Sequence, residues 1–496
     1  MTRASRRLRD APRRGAPDEP PSGSVPRRIA DLQLTLAARQ LVSWKRGLAL
    51  VALIGWFGGH LASVSDVAIP LWVVAGLALG LWSPRAGLVV TILVVPYAGG
   101  DVDPPQAELL RMVPILGGAA RIAWDRLRGD RTDLAPGGVI VGLGFVLIGL
   151  YVLTAFTAFL GDPNAERLVL AALPWLLGGP IALVAAWLIG AHDGHLPDNP
   201  ILDAVLVSTV LACLFAFAAW AGVPWTDPFA YPADFYGRLS VFGYPTPTGM
   251  AVAIALPFAV VAAYRRHVLL AAVVLAIGLG TVAAPGSRGA LLALTAGAFV
   301  AAAASGRLTA RVTAAGAAIA VVGAAGVLAA RYGATLEGLS GAIPQMIATD
   351  TLRSQSWSAA VLIAVRNPLL GGGWNSLSRF QDFELGGQGA SHNMVLAGFA
   401  DGGIPLGLAF CGVLFYSVLM MWRNRQTIAP YAMAAATTLL VAGLWDIPNL
   451  RSYAAVMGGL ALGMVARSAP GAAETGPSGA RPAGRARRRQ RANQVA

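Results

Sequence analysis

Lysine is almost missing from this chain: Lys45 is the only one among 496 residues. The formal charge of +13 is therefore carried by arginine, a compositional habit more than a surface built for nucleic acid. Most of the excess sits at the ends. Residues 1–46 hold eleven Lys/Arg against four acids, and residues 467–496 hold seven against one. Such tails, rich in Pro, Gly, Ala and Arg, are low-complexity segments expected to be disordered and cytoplasmic, touching at most anionic lipid. No nucleic-acid partner is expected.

Charge of either sign is scarce as well. Only 13% of residues are charged and 56% are hydrophobic, with a mean hydropathy of +0.61. A soluble chain needs roughly a quarter of its residues charged, so a soluble globular protein is excluded. The first 46 residues are polar and arginine-rich with no early apolar core, so no cleavable signal peptide is read there. Cysteine is limited to Cys213 and Cys411, both inside apolar runs. Neither has a second Cys or a His at metal-ligand spacing, so a zinc site or redox motif is not expected and helix packing is the better reading.

What is present is a succession of apolar runs of about 17–25 residues, the length that crosses a bilayer as helix. The fold class expected is an all-α polytopic transmembrane bundle of about 12–14 spans with one large extracytoplasmic loop containing short helices. The runs lie near 47–65, 67–83, 86–99, 106–124, 138–160, 167–190, 201–222, 246–263, 268–284, 289–304, 312–330, 393–421, 428–444 and 451–466. The fourth is weak because Arg111 and Arg121 fall inside it, which leaves twelve spans plus re-entrant pieces as the alternative. Domain organisation follows: a basic cytoplasmic tail over 1–46, a transmembrane catalytic domain over 47–467 with the large loop at 331–392, and a second basic tail over 468–496.

Alternate loops are basic, as the positive-inside bias requires. Arg85, then Arg126, Arg128 and Arg131, then Arg265 and Arg266, then Arg307 and Arg311, then Arg423 and Arg425 fall on the predicted inner side, with one neutral exception at 191–200. The plasma (inner) membrane is the expected location, with both termini cytoplasmic. The outer face receives three features: the segment 223–245 with Arg238, the turn APGSRGA with Arg288, and the loop 331–392 ending at His392. Of the five histidines, only His60 and His392 fall on this side.

Arginine on the outer face runs against the bias, so each instance asks for a reason. Arg238 sits among aromatic and turn residues in GRLSVFGYPTPTG. Arg288 stands at the mouth of a helix in PGSRGALLALTAG. Arg353 opens TLRSQSWSAAVLIAVRNPLLGGGW, which reads as an amphipathic helix of about fifteen residues stopped by Pro368 and a glycine run. Together these could bind a dianionic group such as a pyrophosphate, since the planar guanidinium grips phosphate oxygens bidentately. The bland readings are a solvated loop residue, a snorkelling helix end and the start of an interfacial helix. Arg366 and Arg379 read as surface residues.

His392 and Asn393, in GASHNMVLAGFADGG, admit two readings as well. Ser391 or Asn393 would cap the next helix. Alternatively, His392 would serve as a general base, because imidazole titrates near neutral pH. Asp382 and Glu384 in the same loop, and Asp446 in LWDIPNLR, are other outward acids. No P-loop, DxD motif or nucleophile elbow accompanies them. Chemistry on this face without a nucleotide needs a pre-activated donor, and glycans linked to polyprenyl pyrophosphate are one that membranes supply.

In order, GRLSVFGYPTPTGMAVAIALP, SRGALLAL, LRSQSWSAAVLIAVRNPLLGGGWNSL and ASHNMVLAGFADGGIPLGLAF resemble the O-antigen ligase and polymerase family, over roughly residues 230–422. That family includes ligases that attach O-antigen to lipid A–core and the related Wzy-type polymerases, both serving cell-envelope polysaccharide biosynthesis. The resemblance implies that Arg238 and Arg288 bind the donor pyrophosphate and that His392 deprotonates the acceptor hydroxyl. The displacement at the anomeric carbon would then be inverting and need neither metal nor cofactor. Arg353 matches a recurrent arginine before the loop helix, and Trp357 and Asn393 join it as expected substrate contacts. The partners implied are a polyprenyl-pyrophosphate-linked glycan donor, a glycan or lipid-linked acceptor, and the bilayer. Pro245–Thr246–Pro247 stands where the family often has Pro-Asn. A transporter or flippase of lipid-linked glycans is the competing reading, but it would be expected to show inverted halves and mid-membrane charge, and the polar groups here gather at one face.

Overall fold

The computed structural model of the protein describes residues 65–95, 104–128, 146, 149–150, 152–154, 177–192, 199–221, 223, 245–283, 288–305, 353–373, 376–377, 392–445 and 452–467. Outside the described residues lie both basic tails, the expected span at 47–65 up to residue 64, that at 312–330, most of 138–160, and also His60, Arg238, Asp382, Glu384 and Asp446. Among the described residues every regular element is helical.

The helices are α1 (Ser65–Trp82), α2 (Pro84–Val94), α3 (Pro104–Leu127), α4 (Ala182–His192, entered through a π-turn at Leu177–Ile181), α5 (Asn199–Trp220), α6 (Pro245–Tyr264), α7 (Val268–Ala283), α8 (Arg288–Ser305), α9 (353–366), α10 (Met394–Arg423), α11 (Pro430–Trp445) and α12 (Ser452–Arg467). Where described, they coincide with the hydropathy runs to within a few residues. Two stretches are long and apolar enough to cross a membrane by length and composition, Pro200–Ala218 and Met394–Arg423, with mean hydropathies of 2.4 and 2.1. Most of the remaining helices have shorter apolar stretches of 10–17 residues.

Small residues let the helices approach closely, as bilayer-type packing requires when apolar burial gives no advantage over lipid. Gly80 of α1 lies against Gly117, Gly118 and the Pro114 carbonyl of α3, and Trp72 Nε1 donates to Leu110 O at 2.7 Å. These contacts advance together along both chains, so α1 and α3 run parallel. Pro84 meets Gly118 while Arg111 reaches Val95, so α2 runs antiparallel to α3. The fourth run, weak by hydropathy, is a helix after all. Arg111 is buried, and its Nη1 donates to Val95 O at 3.3 Å, one of the carbonyls left open at the end of α2. Arg121 pairs with Asp125 one turn on, at 2.7 Å.

The helices around α11 define two ends of the bundle. Gly297 of α8 sits on Ala434 and Thr438 of α11, while Ala290 and Ala293 share an apolar cluster with Ala442, so α8 and α11 are antiparallel. That cluster also holds Cys213, Met250, Val252, Ala253 and Val282. The end of α5, the start of α6, the end of α7, the start of α8 and the end of α11 therefore lie together. At the opposite end Arg266 pairs with Asp203 at 2.8 Å, and Phe258 packs edge-on against Tyr431 at 5.6 Å. Arg265 follows α6 there, and Arg423 and Arg425 stand at the turn from α10 into α11. One end is arginine-rich. At the other, α5 and α7 end, α6 and α8 begin, and α11 ends.

Candidate functional site

The entry to α10 is fixed by Asn393. Its backbone is extended, and its Oδ1 accepts from the N–H groups of Val395 and Leu396 at 2.9 and 3.0 Å. This is an N-cap satisfying two of the four free donors of the first turn. The same side chain donates through Nδ2 to Leu444 O at 3.1 Å, and Met394 rests against Gly443. The start of α10 is thus fastened to the end of α11. Capping belongs to Asn393. His392, immediately before it, is half-buried and has φ of 48°, the only positive φ on a non-glycine residue among those described. The left-handed region costs an ordinary L-residue about 1–2 kcal/mol, and residues held there cluster at functional sites.

The run 393–421, read from hydropathy as one span, is two helices. Gly403 has φ 66° and ψ −158°, a combination open only to glycine, and it breaks α10 into 394–402 and 404–423. Gly398 lies beside Gly407 and Phe410, and Phe399 beside Gly407. Those neighbours would be far apart on a straight rod, so the first arm folds back against the second. Thirty residues of unbroken helix would measure about 45 Å, whereas the arm 404–423 measures about 30 Å, one hydrocarbon thickness.

The loop helix α9 closes over the bend. It is described from Arg353 on and ends before Pro368, where its sequence predicts the stop. Its buried face, Ala359, Ala360 and Ile363, packs with Leu377 and with Leu396 and Ala400 of the first arm. The turn after it is stitched to the break: Ile404 N donates to Pro368 O at 2.7 Å, Gly372 N to Ala400 O at 2.7 Å, and Gly373 N to Asp401 O at 3.0 Å. Asp401 Oδ1 in turn accepts from Ser376 N at 3.0 Å and from Ser376 Oγ at 2.8 Å. With their C-terminal ends held at one point and one face shared, α9 and the first arm run the same way. Arg353 and His392 therefore stand at the same end of the pair.

Of the residues singled out by sequence, Arg353 and Trp357 lie half-buried in the first turns of α9, and Arg366 is exposed at its end. Arg288 opens α8 beside the end of α11, the same end to which Asn393 is tied. The structure thus brings the backbones of Arg288, His392 and Asn393 to one end of the bundle, and Arg353 to the His392 end of the α9 pair. The helices α6, α8 and α10 all begin there, directing their N-terminal N–H groups toward that end. Arg238 falls outside the described residues.

Residues 272–411 match the family model described as O-antigen ligase. That segment is similar to the family. The matched segment begins in α7 and ends within the second arm of α10, so it contains Arg288, Arg353, Trp357, His392 and Asn393. Members of this family are membrane-integral, glycosyltransferase-like enzymes of polysaccharide biosynthesis that act on lipid-linked glycans. No curated protein matches the chain.

Sequence reasoning passed over Asp401, Ser376 and Gly403 within the matched segment. The signal for the break was present as DGGIP, two glycines followed by proline. For the Asp401–Ser376 pair no local signal exists, because the partners lie 25 residues apart.

Proposed function

We propose that the protein is an O-antigen ligase-like glycosyltransferase, moving a glycan from a polyprenyl-pyrophosphate donor to an acceptor hydroxyl on the extracytoplasmic face. The observation that carries this reading is the O-antigen ligase segment over 272–411, which encloses Arg288, Arg353 and His392. Supporting it, the starts of α6, α8 and α10, with Arg288 opening α8, lie at the end of the bundle remote from Arg265, Arg266, Arg423 and Arg425. By the positive-inside bias the arginine-rich end is cytoplasmic and the His392 end faces out. The loop 331–392 is then the extracytoplasmic cover, and the tails 1–46 and 468–496 are cytoplasmic.

The chemistry is an in-line displacement. The acceptor oxygen forms a bond to the anomeric carbon as its proton passes to His392. The bond from that carbon to the pyrophosphate oxygen breaks, and polyprenyl pyrophosphate leaves with the electron pair. Configuration inverts because attack and departure occur on opposite faces. The growing charge on the leaving group meets Arg238 and Arg288, helped by Arg353 and by helix N-termini, which favour anions. Preorganised donors in a water-poor site are where such stabilisation is largest, and base assistance adds about a hundred- to ten-thousand-fold. Asn393 and Trp357 border the substrate.

The test is transfer by the purified full-length protein in lipid vesicles, given polyprenyl-pyrophosphate glycan and candidate acceptors, with nucleotide omitted and a chelator added. Glycan on a non-lipid-linked or core-type acceptor indicates a ligase, and lengthened lipid-linked glycan a polymerase. Donor moved across the bilayer with its pyrophosphate linkage intact, and no transfer, would overturn the proposal in favour of a transporter.

A further inference from the structure

We infer that Asp401 is a positioning residue for the transfer reaction: its carboxylate latches the turn after α9 to the break in α10 and so sets Arg353 against His392. The inference rests on the proposed function, in which those two residues serve the same substrate.

The latch is built in layers. Three backbone hydrogen bonds join residues 368–373 to residues 400–404. Two glycines make that approach feasible. A methyl group at Gly371, whose φ is 66°, would strike the Asp401 carbonyl, and one at Gly403 would strike the Pro368 carbonyl. Backbone bonds alone hold the turn at its near end. The far end, where the chain leaves toward the rest of the loop, is held by the side chain of Asp401, which accepts both donors of Ser376. A carboxylate oxygen taking a backbone N–H and a hydroxyl closes a small ring of contacts, and charge-assisted bonds of this kind are the stronger ones. Ser376 is buried, as is Leu377 beside it, which fills the cluster between α9 and the first arm. Releasing Ser376 therefore frees Leu377 from the seam that aligns the two helices.

Function follows from the parallel arrangement. Because α9 and the first arm of α10 share a pinned C-terminal end, a small rotation at the latch is enlarged at their N-terminal ends, where Arg353 and His392 stand. A misplacement of about 1 Å in a reacting constellation is enough to lower turnover about a hundredfold. Asp401 lies at the pinned end of the pair, away from Arg353 and His392, and acts through geometry. What matters is an oxygen acceptor at Oδ1, not a titrating group.

Three variants separate these roles in the full-length protein. Asp401→Asn keeps an acceptor for both Ser376 donors, Asp401→Ala removes it, and Ser376→Ala removes the hydroxyl while keeping the N–H. In a background with Cys213→Ala and Cys411→Ala, nitroxides at Ser354→Cys and Ala397→Cys report the spacing of α9 and the first arm by pulsed electron resonance. A narrow distance distribution is expected for the parent and for Asp401→Asn, and a broadened one for Asp401→Ala. Turnover at saturating donor should fall about a hundredfold in Asp401→Ala and recover to within a few-fold in Asp401→Asn, with Ser376→Ala between them. An unchanged distance distribution in Asp401→Ala overturns the latch. Loss of turnover in Asp401→Asn with the distances intact overturns it as well, and makes Asp401 a reacting carboxylate. If the parent shows no transfer with any donor, the proposed function fails, while the distance measurement still judges the latch.

Discussion

His392→Asn pits backbone strain against chemistry. His392 holds φ at 48°, where a β-carbon crowds the neighbouring carbonyl at about 1–2 kcal/mol. Histidine and asparagine both enter that region several-fold more readily than most residues, and the shorter amide can also hydrogen-bond locally, so the substitution should leave the strain equal or slightly lower. The helix cap is untouched, because Asn393 makes it. The Asn variant should therefore melt at or slightly above the parent's midpoint, whereas His392→Ala keeps the same β-carbon without a polar side chain to hydrogen-bond locally and should melt no higher. Activity should move the other way. An amide does not accept a proton at neutral pH, so transfer should fall about 10²–10⁴-fold in both variants, or about 2.7–5.4 kcal/mol of barrier at 1.36 kcal/mol per decade. The assays are thermal unfolding in detergent and turnover at saturating donor on the same preparations. An Asn variant active within a few-fold of the parent would remove His392 from the mechanism and shift attention to Asp382 or Glu384. An Asn variant destabilised by several kcal/mol would refute the strain argument instead.

Arg238→Lys and Arg288→Lys should each lose most turnover even with donor saturating, because an ammonium cannot replace a bidentate fork on pyrophosphate; full activity in both would reduce these residues to loop anchors. Asn393→Ala should destabilise by about 1–3 kcal/mol, combining a lost cap with the lost bond to Leu444 O. Asn393→Asp keeps the cap but turns an acceptor toward Leu444 O, so its unfolding midpoint should fall below the parent's. Gly403→Ala should cost at least about 2 kcal/mol, since its φ/ψ is closed to alanine and the new methyl meets Pro368 O, Leu369 C and Gly371 N. Gly149→Ala, where a methyl meets nothing within 4 Å, is the control and should be neutral or slightly stabilising.

Much of the helical order was legible because hydropathy and breakers are local. Pro368 and the glycines after it end α9 by removing a donor and favouring turn geometry, and no distant partner is needed. The Asn393 cap was likewise open to reading, since a side chain two or three residues from the donors it satisfies acts within its own turn. Arg111 shows where local reading stops. Counted as charge it weakened the third helix, yet its guanidinium occupies a carbonyl at the end of α2, a neighbour that hydropathy does not see.

By itself the sequence determined that this chain must hide apolar helices from water, where most of those helices start and stop, and which loops carry the arginine. Each of these follows from side-chain chemistry summed over a short window. Only the tertiary structure decided that 394–423 bends back at Gly403, that α9 lies along the first arm, and that Arg288 opens beside the end of α11. Backbone direction at a glycine is nearly free locally, so it is settled by what the chain meets: the Pro368 carbonyl, the turn N–H groups of Gly372 and Gly373, and Ser376 reaching Asp401 from 25 residues away.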